Sequence, residues 1–587
     1  MKQESKNGKI GQVIEVNSER IIIEVSKDIS NYNIIHNGNL YRIGQVGSFI
    51  KIINGLSCLY GVVESFSTFL YSGEIVVDKK IINVSLLGYR AVTGEFENGA
   101  KITPSIDDSA YIIDEDDINI IFKSAVKFPI KIGTNYFSNE LPVYINLNDF
   151  VLKHSFVVGS TGSGKSNTVA YLLSNIVTEY PSSRTIIIDI HGEYMNYLKN
   201  EAKEFSVYNE TNKLIIPYWM LDFDTLCKLF GLPSGNVMST ATDVFHDRIL
   251  QIKKNYVSGR SELKEKIKIN DININSPIPF DIKDIWLEFH SRGYGTFTVS
   301  AEREPKNYAF ETDKKGIELK GNAEKLEKPQ FKPYTTDRTA PYKSNETYFR
   351  SIADNILNII KSDDFRFMFG EDEYIKGTKN IEELISKWIE NEKQITILNL
   401  GGIPYNILDV VIGILSNLLF DIIYYSLKVN KPFEGRPILI CYEEAHKYLN
   451  SNTKDSFSQK AVERIMKEGR KFGIGAMIIS QRPVEIPNTI ISQVSTFIAL
   501  RLTNSDDQGI IIKFAPNNFS MFLKSLPSLG NGDAFVIGES MKIPMKVKIP
   551  LLESVKNINF DKRIGVWKEK RNSKFDYKNT IERWMQK

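Results

Sequence analysis

The stretch GSTGSGKS at 159–166 constrains this chain more than any other part of it. Gly159, Gly162 and Gly164 are interleaved with Ser160, Thr161 and Ser163, and the run closes on Lys165 and Ser166, the G-x-x-x-x-G-K-[ST] spacing. Glycines let successive backbone N–H groups curl around a polyphosphate. The helix that follows points its positive end at the same charge. Lys165 then places a cation on the β- and γ-phosphates of ATP, and Ser166 offers a hydroxyl to Mg2+. Asn167 extends the expected ATP-binding set. A glycine turn with an ordinary surface lysine is the plain alternative. The buried-strand run SFVV before the loop and the helical NTVAYLLSNIVTEY after it supply the context the motif requires.

Such a loop needs an acid at the end of a second buried strand. PILICYEEAHKYL at 437–449 supplies Glu443 and Glu444 at the C-terminal edge, where ligands gather in open α/β sheets. Glu443 can enter the Mg2+ shell and Glu444 can polarise the attacking water. Two solvated glutamates at a helix start are the alternative, also favoured by the helix dipole. Other polar strand ends point to the same cleft. Asp189 ends TIIIDI (185–190) and is followed by His191, Gly192 and Glu193. Gln481 follows AMIIS, placed to sense the γ-phosphate or its water, with a satisfied turn amide as its bland counterpart. His191 reads as a hydrogen-bonded loop histidine. The helix QKAVERIMKEGRKFGIG (459–475) carries Lys460, Arg464, Lys467, Arg470 and Lys471 at spacings of three and four. These cations form a solvated face paired with Glu463 and Glu468, or else the helix end approaches a neighbouring subunit's nucleotide.

The expected fold class is α/β, with a P-loop NTPase core built on a mostly parallel sheet. Apolar runs at 394–402, 437–444, 473–481, 496–502 and 533–538 alternate with helical segments, the pattern of a sheet covered on both faces. Five parts are expected. Residues 1–130 read as a small β-barrel from short alternating strands broken at Gly or Asn. Residues 131–204 read as the first part of the core, entered through a linker spanning 124–152. Residues 205–390 form an inserted helical subdomain with a charged, mobile segment at 300–345. Residues 391–547 complete the core. Residues 548–587 make a basic extension with 11 Lys/Arg against 5 Asp/Glu, ending in a helix, NTIERWMQK.

Composition bounds the function from outside. Net charge is only +3, which leaves room for a local basic channel and so excludes no nucleic-acid partner. Cys58, Cys227 and Cys441 are scattered and odd in number, supporting neither a disulfide framework nor a zinc knuckle and suiting a reducing cytoplasm. No secretory signal is expected. The apolar run at 407–425 is interrupted by Asp409, Asn417 and Asp421, so a helix packed in a core is expected in place of a membrane span.

KHSFVVGSTGSGKSNTV, IIIDIHGEYM, ILICYEEAHKYL, KEGRKFGIGAMIISQRP and FIALRLTNSDDQ together resemble the HerA family of hexameric DNA translocases, related to FtsK, over most of the chain. The resemblance implies a RecA-like core, an N-terminal barrel, a homo-hexameric ring with nucleotide sites between neighbours, and DNA in a central channel. It implies Lys165 and Ser166 on phosphate and Mg2+, Glu444 as the catalytic glutamate, Gln481 as the sensor and Arg470 as an arginine finger, with Arg464 and Arg501 as alternates. Glu443 stands where an aspartate is commoner, which puts the metal geometry in question. A separate effector is implied, a nuclease or a sirtuin-like NAD-consuming protein, in DNA-end processing or antiphage defence. The rival is an ATP-gated scaffold that licenses an effector and barely translocates. A membrane-coupled motor and a protein unfoldase are weaker alternatives.

Overall fold

A computed structural model describes residues 8–553, except 18–19, 30–31, 37–38, 44–46, 70–78, 92–95, 100, 119–125, 136–141, 208, 210, 234–238, 299–306, 335–339, 371, 377–380, 430–435, 452–455, 515–522 and 542; beyond Glu553 it describes only 578, 581, 582 and 585. The expected helix at the end of the basic extension lies largely outside the described residues. The chain divides into two compact units. One comprises 1–204, 392–398 and 423–560, and the other 205–391, 399–422 and 561–587.

The first unit opens with strands β1 (Lys9–Val16), β2 (Ile21–Val25), β3 (Phe49–Asn54), β4 (Ser57–Phe69), β5 (Lys79–Arg90) and β6 (Ser109–Ile112). They pair in the order β2-β1-β6-β3-β4-β5, and β5 pairs back onto β2, which closes a six-stranded barrel. Alternation explains the closure. Ile10, Ile21, Ile23, Ile50, Ile52, Leu59, Ile82, Val84 and Ile112 all point to one interior cluster.

The rest of that unit is an eleven-stranded sheet. Its members are β7 (Pro129–Asn135), β8 (Pro142–Asn146), β9 (Ser155–Val158), β10 (Arg184–Asp189), β11 (Ala202–Ser206), β12 (Ile395–Asn399), β13 (Ile438–Tyr442), β14 (Ile474–Ser480), β15 (Thr496–Ala499), β16 (Asp533–Gly538) and β17 (Met545–Lys548), ordered β8-β7-β17-β16-β15-β9-β14-β13-β10-β12-β11. From β15 to β10 the pairs are parallel, and these strands are buried along nearly their whole length. From β15 outward through β16, β17, β7 and β8 the pairs are antiparallel. The sheet is therefore mixed, with a parallel centre. The stretch taken for a linker supplies β7, β8 and a capping helix, α1 (Leu147–Leu152).

The second unit is mainly helical. Helices α3 (Phe223–Phe230), α4 (Thr240–Ser258), α5 (Ile282–Tyr294), α6 (Phe349–Lys361) and α7 (Ile381–Ile389) follow α2 (Lys165–Glu179) of the first unit. Phe245, Phe289 and Phe349 pack ring against ring, at 6.0 and 4.5 Å between centroids. The segment expected to be a mobile excursion is built differently where described. Isolated bridges tie Phe297 to Tyr308, Phe310 to Phe331, Thr312 to Glu318 and Asn322 to Glu327. Aromatic rings take the place of the missing aliphatics, with Phe310 stacked on Phe331 at 5.2 Å. Helix α8 (Tyr405–Val429) contains a window, Ile407–Lys428, long and apolar enough to cross a membrane, and 67% of it is buried within the protein.

His154 fastens the parallel centre together. It precedes β9, accepts from the Ala476 N–H of β14 through Nδ1 at 3.0 Å, and donates from Nε2 to the Met466 carbonyl at 2.9 Å. Met466 lies on α9 (Phe457–Glu468). Burial, with help from Arg470, lowers the His154 pKa from 6.5 to about 4. The folded protein therefore keeps His154 neutral where the unfolded chain takes up a proton, and stability is lost as pH falls from 6.5 toward 4. Urea unfolding should show a loss on the order of 3 kcal/mol over that window from this group. The difference between the unaltered chain and His154→Gln should shrink correspondingly on acidification.

Candidate functional site

Register places the site. Val158 of β9 is level with Ser480 of β14 and with Ala499 of β15. Tyr442 of β13 pairs with Ile188 of β10 and Ile478 of β14. Gly159, Gln481 and Glu443, which follow β9, β14 and β13, and Asp189, the last residue of β10, with its turn, consequently emerge at one edge of the sheet.

The loop at 159–166 is shaped by its backbone. Gly162 and Gly164 have φ of +74 and +100, in the left-handed region that favours glycine. A Cβ on Gly159 would lie 2.5 Å from Ser163 Oγ and 3.0 Å from Leu500 Cβ. The loop is braced from outside: Ser160 N–H donates to the Arg501 carbonyl at 2.8 Å, and Gly532 N–H donates to the Ser163 carbonyl at 3.1 Å. Helix α2 starts at Lys165, so its first N–H groups lack partners within the helix and face the loop.

Lys165, Glu444, Gln481 and Thr161 form one connected set. Lys165 Nζ lies 3.1 Å from Glu444 Oε1, and both residues are at most 6% exposed. Gln481 Nε2 donates to the same Oε1, and Thr161 Oγ1 donates to Gln481 Oε1 at 2.5 Å. His446 Nδ1 stands 3.3 Å from Glu444 Oε2 and 3.2 Å from Ser480 Oγ. Burial raises the Glu444 pKa, but the Lys165 charge and the bonds from Gln481 and Lys165 outweigh it, so the carboxyl falls below its usual range. Glu444 also has φ +46, a left-handed backbone costing a non-glycine residue about 1–2 kcal/mol.

Glu443 has the opposite environment. It is fully buried, accepts from the Tyr194 hydroxyl through Oε2 at 2.5 Å, and keeps Oε1 without a hydrogen-bond partner. Burial pushes its carboxyl up to about 8 against the pull of Lys165. Ser166 Oγ donates to Glu193 Oε1 at 2.7 Å. Among the described residues, no three His, Cys, Asp or Glu side chains gather as a metal cluster. A small hard cation held by one carboxylate, a hydroxyl and substrate phosphates needs none.

Two expected members are used otherwise. Asp189, read as a polar group of the cleft, is fully buried and spends both oxygens on backbone: Oδ1 on the N–H groups of His191 and Gly192, at 3.1 and 2.9 Å, and Oδ2 on that of Tyr194, at 3.0 Å. It builds the turn that presents Glu193. Asn167, read as an ATP ligand, gives Nδ2 to the Pro550 carbonyl and takes the Leu552 N–H on Oδ1, each at 2.9 Å. Its amide fastens α2 to the chain after β17. His191 meets Lys447 Nζ at 2.8 Å through Nε2.

The cationic helix is partly a paired face, since Lys467 meets Glu463 at 3.0 Å. Arg464 is half-buried on α9, while Arg470 is exposed on the turn after it. Arg470 acts on His154, which precedes β9, whereas the glycine loop follows β9. Arg501 stands beside the loop of its own chain through its carbonyl. Tyr194 and His446 were not singled out from sequence. The signal for Tyr194 was present in HGEY, since a large hydroxyl-bearing side chain right after a polar turn must find a buried partner.

The model of the helicase HerA central domain matches residues 130–419, and that of the helicase HerA-like C-terminal region matches 415–581. A probable helicase of Methanocaldococcus jannaschii is 27% identical over 87% of this chain and 86% of its own length. The DNA double-strand break repair helicase HerA of Saccharolobus solfataricus is 26% identical over 75% and 72% respectively. Among solved structures, VirB4 of Thermoanaerobacter pseudethanolicus overlays with a TM-score of 0.46 at 13% identity, over 72% of this chain and 96% of that one.

The Asp189 turn gives a direct test. Asp189→Ala leaves the N–H groups of His191, Gly192 and Tyr194 without their acceptor, and the buried one, Tyr194, costs about 1–3 kcal/mol. Urea unfolding should show a loss of at least that size. Hydrogen exchange should accelerate at His191, Gly192 and Tyr194 before it does elsewhere in the sheet.

Proposed function

Since the chain belongs to the HerA helicase family, we propose that it is an ATP-hydrolysing motor that moves along DNA as a ring of six copies. The connected set of Lys165, Glu444, Gln481 and Thr161 carries this proposal. It joins the phosphate loop to a carboxylate kept ionised in a buried site, which a general base for water attack requires. Lys165 would bind the β- and γ-phosphates. Glu444 would accept the proton of the attacking water, and Gln481, already touching loop and base, would report the γ-phosphate to both. Because Lys165 rests on Glu444, its turning toward phosphate would release the carboxylate at the moment substrate is seated.

Magnesium fits the residues present. The buried, unpartnered Oε1 of Glu443 is an acceptor suited to a cation, and Ser166 supplies a hydroxyl. Bound there with the nucleotide, the ion would neutralise phosphate charge during transfer.

The ring is supported by Arg470. Strand β9 separates its neighbourhood from the glycine loop of the same chain, and four strand residues span roughly 13 Å. An exposed guanidinium at that end would serve the nucleotide of an adjacent copy. Arg501, beside its own loop, would be the reserve for a role in cis. The finer assignment includes a separate effector, a nuclease or an NAD-consuming protein, in end processing or antiphage defence inside the cytoplasm. A pull-down with and without DNA and ATP tests it.

Lys165→Ala should lose tight ATP binding. Glu444→Gln should bind ATP but hydrolyse it about 10²–10⁴-fold more slowly, because an amide accepts no proton. Steady-state hydrolysis and equilibrium binding check both, and a normal rate in Glu444→Gln removes the assignment of the base.

Arg470→Ala should bind ATP normally and hydrolyse it poorly. Mixed with Lys165→Ala, it should regain part of the activity at interfaces that join an intact loop to an intact arginine. Full hydrolysis by Arg470→Ala alone would move the role to Arg464 or Arg501.

DNA affinity should fall steeply with salt and depend little on sequence. If about six phosphates are held, the loss is roughly 10³-fold between 50 and 200 mM salt. A flat salt response with sharp sequence preference would exclude a motor that grips the backbone.

A further inference from the structure

The hydroxyl at the start of α2 must point a lone pair at the cation, and its single proton must go to one acceptor. In this chain the acidic residue that follows β13, Glu443, is engaged elsewhere. Its Oε2 takes the Tyr194 hydroxyl, leaving only the buried Oε1 open. The Ser166 proton goes instead to Glu193 Oε1, at 2.7 Å. We infer that Glu193 is a positioning residue of the nucleotide-metal site: it fixes the Ser166 hydroxyl so that its lone pair faces the cation, while Glu443, held by Tyr194, offers Oε1 from the other side.

The local backbone is built for this division. Glu193 and Tyr194 are consecutive, so one turn grips both partners of the cation. That turn is held by three backbone bonds to Asp189 and by Gly192 at φ +68. A shift of the turn's backbone would move both contacts together. The Tyr197 side chain also stands close to Ser166. With its proton given to Glu193, the Ser166 hydroxyl keeps its lone pairs for the ion. Because Glu193 acts through Ser166, its effect belongs to the metal's share of nucleotide affinity.

This inference rests on the proposed ATP and Mg2+ site, and the test separates the two. ADP affinity is measured in MgCl2 and in EDTA for the unaltered chain, Glu193→Ala and Glu193→Gln. The ratio of the two affinities is the metal's contribution. In Glu193→Ala that ratio should fall by about tenfold or more, the usual effect of removing a partner behind a metal ligand. Its affinity in EDTA should be unchanged or tighter, since a negative charge has left the phosphate site. Glu193→Gln should recover most of the ratio, because the amide oxygen still accepts the serine proton. An unchanged ratio in Glu193→Ala overturns the inference. So does an equal weakening in MgCl2 and in EDTA, which is the mark of a merely structural residue. No ADP binding by the unaltered chain under either condition overturns the parent site and this inference with it. ADP binding that gains nothing from Mg2+ leaves the nucleotide site standing and overturns both the metal and the positioning role.

Discussion

The site depends on a geometric constraint: three buried strands end level with one another, and a fourth, β13, ends two residues short of β14. Parallel pairing fixes Val158, Ser480 and Ala499 side by side, and Tyr442 follows from its pairing with Ile478. A slip of one residue in any strand would turn its alternating side chains over and carry its terminal polar group away from the cleft. Complete burial of these strands makes such a slip costly. His154 adds a polar clasp at the opposite ends, joining β9, β14 and α9 through two ring nitrogens. Chemistry at one edge is thus secured by hydrogen bonding at the other.

The buried charges at the edge do not act as a stability device. An ion pair such as Lys165 with Glu444 gains little over its desolvation, yet losing one partner strands the other. The neighbouring carboxyls show how environment alone separates two chemically equal groups. Glu444, beside Lys165 and Gln481, is held ionised, while Glu443, one residue earlier, is driven by burial toward the protonated form. Both follow the end of β13 in a turn, where the left-handed backbone of Glu444 separates its side chain from that of Glu443.

Much of this was legible in the chain itself. Continuous apolar runs ending in polar residues located β9, β10, β13 and β14, because fully buried strands leave no alternation to confuse. The glycine loop was visible because its spacing is a backbone requirement and not a packing preference. The antiphase residues of 129–146 were read as a linker because two short strands across an antiparallel hairpin carry few apolar side chains of their own. Asp189 and Asn167 were assigned by position to the cleft. Side-chain amides and carboxylates next to backbone turns often satisfy N–H groups instead, and nothing in the local sequence distinguishes the two uses. The segment at 300–345 was read as mobile because it lacks aliphatics, whereas Tyr308, Phe310 and Phe331 do that packing with rings.

The closed barrel has a consequence for recognition. Each of its six strands has a neighbour on both sides, with β5 returned to β2 over Ile81–Val84. Among the described residues closure leaves fewer bare N–H and C=O groups than an open sheet would, which disfavours attachment by an added strand. Recognition there falls mainly to outward-facing side chains. These can vary freely without disturbing the pairing, so one barrel could be fitted to different companions by changes confined to its surface.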